Sequence, residues 1–422
     1  MSHSAQVALC FVLILLLLNA FPFVRPSYSS SAETVEISDE ANLHVYVIDL
    51  DGVGNRLVTN RSEVVEGVLQ AAGVPKVTVP LFDRFGHIVD YIAVNVTVTA
   101  EVVTEWNVYR SLVEIGSNAI IVNAHDEYLP IPNGYSREQW VEKIADFMLN
   151  RSGTWVHTGG YPMNLTWHEN GQTETWGEEG FQALMNYIEK GDVNCSPPSS
   201  LMALSTFSIE AHYNLAPDFY WWNGKHADSI ATFSDANLGY PLRCADFGSG
   251  YLEFPVYEFI VNGELYWSGA VIRFFNDDSA NFGLYVHLGS WQFYDGSSYR
   301  LDRFDDLAIG YIPTAMAIWS EVGIATTGFF NALDAIEMAK KEGRTSGLVE
   351  AESLLQQSAS AYNSSSFKMS VVYAEQAAKL AEEAMVEKGS ALPFILATAG
   401  VAVAATGFIA SSLFQKRKKE KC

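Results

Sequence analysis

Positively charged residues are scarce in this sequence. Its 422 residues include 26 Lys and Arg but 49 Asp and Glu, for a formal net charge of −23. The last eight residues, QKRKKEKC, contain five of those cations and one Glu, so this segment carries +4 and the rest of the chain −27. A surface of that sign repels the phosphates of nucleic acids. The charge balance therefore excludes nucleic-acid binding by the body of the protein.

The two longest apolar stretches of the sequence contain no charged residue. The longer one, residues 391–414, has 24 residues and is long enough to cross a bilayer core of about 30 Å at about 1.5 Å per residue. The basic segment 415–422 follows directly, and clusters of Lys and Arg stay on the cytoplasmic side. We predict a transmembrane helix at 391–414, a cytoplasmic tail at 415–422 and an extracellular location for the preceding chain.

The second uncharged stretch, residues 7–24, is interrupted by Asn19 and Pro22. Its length and this interruption are typical of a signal peptide. The residues before it contain no Lys or Arg, and no clear cleavage motif follows it, so an uncleaved N-terminal anchor is the alternative. We assign residues 1–32 to a signal peptide or N-terminal anchor.

Cysteine is also rare, with four residues in the chain. Cys10 lies in the predicted leader and Cys422 in the predicted tail, which leaves Cys195 and Cys244 in the extracellular part. Two thiols in an oxidising compartment most simply pair with each other. We therefore predict a disulfide bond between Cys195 and Cys244.

The same extracellular part contains six Asn-X-Ser/Thr sequons, each a candidate for N-glycosylation. The sequon at Asn194 is the poorest, because Cys195 lies inside it and Pro197 follows. We predict glycosylation of several of the others, which are Asn60, Asn95, Asn150, Asn164 and Asn363.

An α/β pattern is clearest in residues 116–162. An unbroken apolar run from Ala119 to Val122 is followed by a helical segment, SREQWVEKIADFMLNRS, and by a second apolar run that ends at Gly159 and Gly160. This is the pattern of a strand, a crossover helix and a parallel strand. Consecutive apolar residues indicate a strand that is buried on both faces.

Strands and helices alternate through residues 43–310, which predicts one α/β domain built on a parallel sheet. We predict a first strand in LHVYVIDL, a helix capped by Ser62, a second strand in KVTVPLF and a helix from about Ala100 to Ile115. A further helix covers about residues 177–190. A β-rich insert follows, with a hairpin turn at Asn262-Gly263 and a late strand that ends at His287.

Alanine-rich segments with helical spacing occupy residues 326–388. Leu333, Ile336 and Ala339 mark the first stripe, Leu348 begins the second and Ala374 begins the third. The interruptions EGRTSG and NSSS separate them. We predict a three-helix stalk between the α/β domain and the transmembrane helix.

Polar residues gather where the predicted strands end. Ligands of parallel sheets bind at the carboxyl ends of the strands, so these residues should share one rim. Carboxylates and imidazoles there could bind Ca²⁺ or Mg²⁺ or act as an acid/base pair. The predicted rim consists of Asp49, Asp51, His125, Asp126, Glu127, His157, Thr158 and His287.

The structural alternative for this rim is that the strand-end carboxylates bind loop amides, which is the interpretation we favour, because the spacing matches no metal signature. We expect His157 and His287 to be ordinary core histidines. We expect Asp126→Ala to lower the melting temperature by several degrees and Glu127→Ala to change it little, because we take Glu127 to face solvent.

An aromatic cluster in the insert is a second candidate site. Residues 219–223 read Phe-Tyr-Trp-Trp-Asn, and Trp267 and Trp291 follow. Aromatic faces with polar tips suit stacking against sugars. The same side chains would equally fill the core of a β-rich subdomain, and we favour that interpretation.

The order of IVNAHDEYLPIP, a helix that contains Trp140, GTWVHTGGYPM and a late GLYVHLG resembles the class I glutamine amidotransferase-like fold. More narrowly, the chain resembles archaeal surface proteins that carry such a domain between a signal peptide and a C-terminal anchor. The resemblance covers about residues 43–291. It implies a flavodoxin-like parallel sheet flanked by helices, with a nucleophilic Cys on a tight turn after a central strand and a His and a carboxylate downstream.

This chain lacks the catalytic residues that the resemblance implies. The matching turn, residues 157–160, reads His-Thr-Gly-Gly and contains no cysteine, and no His-x-Glu pair follows near His287. Without a thiolate, acyl-enzyme chemistry has no nucleophile. We therefore predict a domain with the shape of an amidotransferase but without that activity.

The sequence leaves two hypotheses about function. The favoured one is a membrane-anchored, non-catalytic module of a cell envelope that needs no cofactor and meets a glycan or another envelope protein. The alternative is a metal-assisted extracytoplasmic hydrolase that uses His125, Asp126 and Glu127 with Ca²⁺ or Mg²⁺.

Overall fold

A computed structural model describes residues 35–56, 58–82, 88–160, 162–189 and 306–386, together with short strand segments between 211 and 301. The predicted leader, transmembrane helix and tail lie outside the described residues. So do Cys195, Cys244, Asn194 and the aromatic residues 219–223, so their predicted roles stay predictions.

The described residues form a mixed α/β structure. The helices are α1 (Arg61–Ala72), α2 (Trp106–Ile115), α3 (Arg137–Arg151), α4 (Glu178–Glu189), α5 (Asp306–Lys341), α6 (Leu348–Asn363) and α7 (Phe367–Glu383). The main sheet contains β1 (Glu40–Ile48), β2 (Lys76–Phe82), β3 (Ile88–Val103), β4 (Ile120–Asn123), β6 (Thr154–His157), β12 (Leu252–Pro255), β15 (Gly269–Phe275) and β16 (Phe282–Leu288).

The other strands form small sheets. One consists of β5 (Tyr128–Ile131), β7 (Leu165–His168) and β8 (Thr173–Thr175), and another of β10 (Leu238–Gly239), β17 (Trp291–Tyr294) and β18 (Tyr299–Leu301). A third contains β9 (Ala211–His212), β11 (Leu242–Arg243), β13 (Glu258–Val261) and β14 (Glu264–Trp267), and β19 (Arg344–Ser346) pairs with β20 (Met385–Val386). Strands β13 and β14 pair as the predicted antiparallel hairpin.

The main sheet has eight strands in the order β12-β15-β16-β6-β4-β1-β3-β2. The five strands from β16 to β3 run parallel, and the strands at both margins are antiparallel. The predicted unit of strand, helix and parallel strand is confirmed in β4, α3 and β6. A mostly parallel sheet between helices was therefore correctly predicted.

Helices pack against both faces of this sheet. On the first face, Val45, Val122 and Val156 share an apolar core with α1, α5 and α7. On the second face, Ile121 and Trp155 pack with α2, α3 and α4. All four residues of β4 are buried, which explains its uninterrupted apolar run.

One part of the second face is open. Glu40, Asn42 and His44 of β1 are exposed, and the residues paired with them on β3, Asn95, Thr97 and Thr99, are exposed as well. Strand β1 accordingly alternates between buried and exposed residues, unlike β4. Among the described helices, those on this face pack over the centre of the sheet and not over these residues of β1 and β3.

Helix α5 lies in the core. It is long and apolar enough to cross a membrane, but 89% of its most apolar 18-residue window is buried inside the protein. Its residues Ile312, Met316 and Val322 belong to the core on the first face of the sheet. The first half of the helix is buried on every side and mostly apolar, because it packs against the sheet, α1 and α7 at once.

The separate stalk predicted at residues 326–388 is wrong for these helices. The second and third predicted helices are confirmed as α6 and α7, whereas the first is the end of the 36-residue helix α5, which begins at Asp306. Tyr362 and Phe367 belong to the same core as the strands. The Arg273 guanidinium of β15 also binds the Glu375 carboxylate of α7 through two hydrogen bonds of 2.7 Å. The three helices form one layer of the α/β domain.

Two local predictions also need correction. Asn60 rather than Ser62 is the N-cap of α1, and its side chain does not cap the helix. The helix predicted from Ala100 begins at Trp106, because β3 continues to Val103 alongside β1. By contrast, Ser136 and Gln139 form a capping box at the start of α3.

Candidate functional site at the carboxyl ends of the parallel strands

The predicted rim lies at one edge of the sheet. In the parallel register, Ile48 of β1 pairs with Asn123, Asn123 with His157, and His157 with His287. The strand ends are therefore level. Strand β3 lies on one side of β1, and strand β4, which follows β3 in the chain, lies on the other side. The direction in which strands are added to the sheet therefore reverses between β1 and β4. In open α/β sheets, a crevice suited to ligands opens at this point.

The chain's own loop occupies this place. Leu50 and Val53, which follow β1, are buried. The Leu50 amide donates a hydrogen bond of 2.9 Å to Nε2 of His125, across the strand ends. The loop between β1 and α1 is thus held against the residues that follow β4.

His125 is fully buried within this contact. Its Nδ1 lies 3.4 Å from Nη1 of Arg61. Burial and the charge of Arg61 lower the pKa of His125 to about 3, against a smaller opposing effect of a hydrogen bond with the Gly54 backbone. The imidazole is therefore neutral at physiological pH and serves as an acceptor for a loop amide.

Asp126 is also fully buried and has a positive φ of 45°. Its Oδ2 accepts hydrogen bonds from the amides of Arg56 at 2.8 Å and Val58 at 3.1 Å, and its Oδ1 accepts from the amide of Glu127. Asp is one of the few residue types that adopt left-handed backbone readily. This geometry agrees with the favoured interpretation, in which the carboxylate binds loop amides.

Glu127 does not face solvent, contrary to our expectation from the sequence. Its side chain is fully buried, and Oε2 accepts hydrogen bonds from Nη1 of Arg56 at 2.8 Å and from Nδ2 of Asn164 at 2.9 Å. Truncating a buried, ion-paired carboxylate leaves its partners without an acceptor. We therefore expect Glu127→Ala to destabilise the protein, not to leave it unchanged.

The two aspartates after β1 differ. Asp49 forms an ion pair with Arg61, whose Nη1 also donates to the Val53 carbonyl. Asp51 is exposed. Arg61 thus connects Asp49 with His125, whereas Asp51 lies outside this network in the described contacts.

The remaining rim residues lie further along the sheet. Thr158 Oγ1 donates to the Asn123 carbonyl at 2.8 Å, and His157 is buried. His287 is placed beside His157 by the strand register. No group of three or more His, Cys, Asp or Glu that could hold a metal ion occurs among the residues that the structure describes.

The sequence did not identify the cations and the amide that organise this rim. Arg56, Arg61 and Asn164 contact the predicted carboxylates and imidazole. A signal was present, since Lys and Arg are scarce in this chain and two Arg occur between the predicted first strand and the predicted helix capped by Ser62. Asn164, by contrast, is 37 residues from Glu127, and only the fold brings them together.

In comparisons with known proteins, no family model and no curated protein matches this chain.

We expect Asp126→Ala to lower the free energy of unfolding by about 2 kcal/mol, because buried donors lose their acceptor. The measurement is chemical denaturation of the purified protein. Asp51→Ala is the matched control, since this exposed aspartate at the same rim should change stability by at most about 0.5 kcal/mol. Equal effects of the two substitutions would contradict the structural role of Asp126.

His125 should make the protein sensitive to acid. Because its folded pKa of about 3 lies below the ordinary value of 6.5, the unfolded chain binds more protons between these values. Its contribution to stability is complete above pH 6.5 and falls as the pH drops, by about 2 kcal/mol between pH 7 and pH 5.

The measurement is unfolding free energy against pH for the wild type and His125→Gln, which keeps a side-chain acceptor. The carboxylates titrate in both proteins, so their contribution cancels in the difference. We expect the wild type to lose more stability than the variant over this range. Parallel profiles would show that His125 is not held neutral.

Proposed function

We propose that this chain is a membrane-anchored surface protein whose α/β domain binds a partner or supports envelope structure and performs no amidotransferase chemistry. The observation that carries the proposal is that the central residues of the rim are already bound within the protein. His125, Asp126 and Glu127 are fully buried, and each accepts hydrogen bonds from the protein itself. Groups engaged in this way hold a loop in place and are poorly placed to meet a substrate.

The order of the parallel strands supports a flavodoxin-like domain of the amidotransferase type. The five parallel strands follow one another along the chain as β1, β3, β4, β6 and β16. Across the sheet they lie in the order β3, β1, β4, β6 and β16, so that only the first two strands are exchanged. This is the doubly wound order of flavodoxin-like sheets. The antiparallel strand β2, inserted before β3, is a departure from the simple pattern.

The turn after β6 supports the non-catalytic part of the proposal. His157 ends this central strand, and the following residues are Thr158 and two glycines. The position at which the family's enzymes carry their nucleophile thus has no thiol. The Thr158 hydroxyl, the available alternative, donates to a backbone carbonyl and is fully buried.

The membrane anchor in this proposal is residues 391–414. The one helix among the described residues that is long and apolar enough to span a bilayer is α5, and it is buried in the core. The uncharged segment 391–414 and its basic flank therefore support the anchor by composition. Protease added to intact cells should digest the α/β domain, and its protection would overturn this placement.

Binding is tested by thermal shift of the full-length chain in detergent against envelope glycans, Ca²⁺ and Mg²⁺. A ligand that binds the folded state raises the melting temperature. We expect a shift with an envelope glycan and none with either cation. A Ca²⁺- or Mg²⁺-dependent shift that is lost in Glu127→Gln would favour the metal-assisted hydrolase instead.

A further inference from the structure

The structure separates the predicted glycosylation sites into two groups. Asn60, Asn95, Asn150 and Asn363 are exposed, whereas Asn164 is only partly exposed. N-glycosylation joins C1 of a sugar to Nδ2 of asparagine, with loss of one proton from the nitrogen and of the phosphate leaving group from a glycosyl phosphate donor. The product therefore needs room for a sugar directly on this nitrogen.

Asn164 has no such room on the side where its amide points. Its Nδ2 donates to Oε2 of Glu127 at 2.9 Å, and the Glu127 side chain is fully buried. Thr166, the hydroxyl residue of the same sequon, is also fully buried. The backbone is fixed as well, since the Asn164 carbonyl accepts from the amides of Trp176 and Gly177.

The exposed asparagines have their amides at the surface. Nδ2 of Asn60 donates to Glu63 at 2.8 Å, and Nδ2 of Asn150 donates to Asp146 at 2.6 Å. Both bonds lie within exposed helical segments, and a substituted amide keeps one N–H that can still donate. Asn363 uses Oδ1, which accepts from the Ser38 amide at 2.6 Å and takes no part in the linkage.

Three of these sites lie at the edge of the sheet opposite the rim. Asn95 pairs with Glu40, the first residue of β1, and Asn363 contacts Ser38 just before this strand. Asn150 is near the end of α3, and the next residue, Arg151, accepts from the Asn118 amide shortly before β4. Sugars at these three positions would lie away from the rim.

Asn95 also lies on the open part of the second face of the sheet, defined above by the exposed residues of β1 and β3. Its neighbours in register are Glu40 on β1 and Lys76 on β2, both exposed. Asn42 and His44 continue the same face along β1. A polar sheet face is a suitable surface for a sugar chain, which is polar and hydrated, and a poor one for an apolar helix.

We infer that this protein carries N-linked sugars at Asn60, Asn95, Asn150 and Asn363, that the sugar on Asn95 covers the open sheet face, and that Asn164 is unmodified. The inference rests on the proposed extracellular location of the domain. It adds a distinction that the sequons alone do not make, because all five have the same acceptor motif.

The test is glycopeptide mass spectrometry of the full-length chain isolated from its own source. Enzymatic release of the sugars in ¹⁸O-water marks each asparagine that carried one. Two matched variants, Thr97→Val and Thr166→Val, each remove one sequon without changing the asparagine. We expect Thr97→Val to lower the mass by one sugar chain and Thr166→Val to leave the sugar content unchanged.

A sugar on Asn164, or an unmodified Asn95, would overturn the inference. Protease treatment of intact cells separates this failure from failure of the proposed location. A surface-exposed domain without sugars would leave the location intact and refute the glycan map. A protected domain would refute both.

Discussion

Gly310→Ala is expected to lower the free energy of unfolding by about 3 kcal/mol, at the upper end of the usual cost of overpacking a core. A Cβ atom at Gly310 in α5 would lie 1.9 Å from the Val64 carbonyl oxygen of α1. The obstacle is backbone, which cannot rotate away as a side chain can. The two helices must therefore separate, and contacts between them are lost.

The close approach is reciprocal. A Cβ atom at Gly67 of α1 would lie 2.0 Å from the Leu307 carbonyl oxygen of α5. Each helix thus presents a glycine to the backbone of the other, and we expect Gly67→Ala to have a similar effect. Alanine is intrinsically better than glycine in a helix by about 1 kcal/mol, so the steric cost must exceed this gain.

Gly328→Ala in the same helix α5 is the matched control. A Cβ atom there would meet only the Ala374 Cβ, at an ordinary contact distance of 3.7 Å. This substitution should be neutral or stabilising by up to about 1 kcal/mol. Chemical denaturation of the three variants measures the difference. A Gly310→Ala variant as stable as Gly328→Ala would contradict the packing of α1 against α5.

The sequence predicted the elements of the sheet well where burial alone determines the pattern. The apolar run in β4 and the period-two alternation in β1 follow directly from which faces helices cover. The start of α2 was missed because β3 extends to Val103 in register with β1. Pairing between distant strands fixed this boundary, and local propensity does not report such pairing.

The stalk was mispredicted for a related reason. Helical spacing in residues 348–363 and 367–383 was clear, but it does not say which surface the apolar stripe meets. The long apolar segment before them was the available signal. A helix such as α5, which is mostly apolar on every side from Ala308 to Ala325, has to be surrounded by other elements.

The strand ends determine where the rim residues lie but not whether their side chains face solvent. Topology placed His125, Asp126 and His157 at one edge of the sheet, as parallel strands require. Whether a carboxylate there faces solvent depends on the loops that cover it. Glu127 is buried because Arg56, 71 residues earlier in the chain, meets it there. No local pattern in the sequence reports that contact.

A buried ion pair is expected to produce the second large effect. Lys368 of α7 and Glu321 of α5 form an ion pair with both side chains 3% exposed. Nζ of Lys368 also donates to the Ser152 carbonyl at 2.7 Å and to Thr154 Oγ1 at 3.0 Å. Burial lowers the pKa of Lys368, and Glu321 partly opposes this shift. Oxygen atoms of Glu321, Ser152 and Thr154 thus surround Nζ of Lys368 in this buried layer.

We expect Lys368→Met to cost about 3–5 kcal/mol, because it leaves the Glu321 carboxylate buried without its cation. The combined Lys368→Met/Glu321→Leu variant should recover most of this loss, since an apolar pair of similar size removes the desolvation cost of both charges. The double-mutant cycle, measured by chemical denaturation, gives the coupling between the two residues.

The surface pair Lys340–Glu352 provides the control for burial, because its side chains are 51% and 42% exposed. Lys340→Met removes the same kind of charge from a helix and should cost no more than about 1 kcal/mol, since solvent screens exposed pairs. If Lys368→Met were equally mild, Lys368 and Glu321 would have to be accessible to water. The layer formed by α5 and α7 would then not be packed on the sheet, because this packing is what buries the pair.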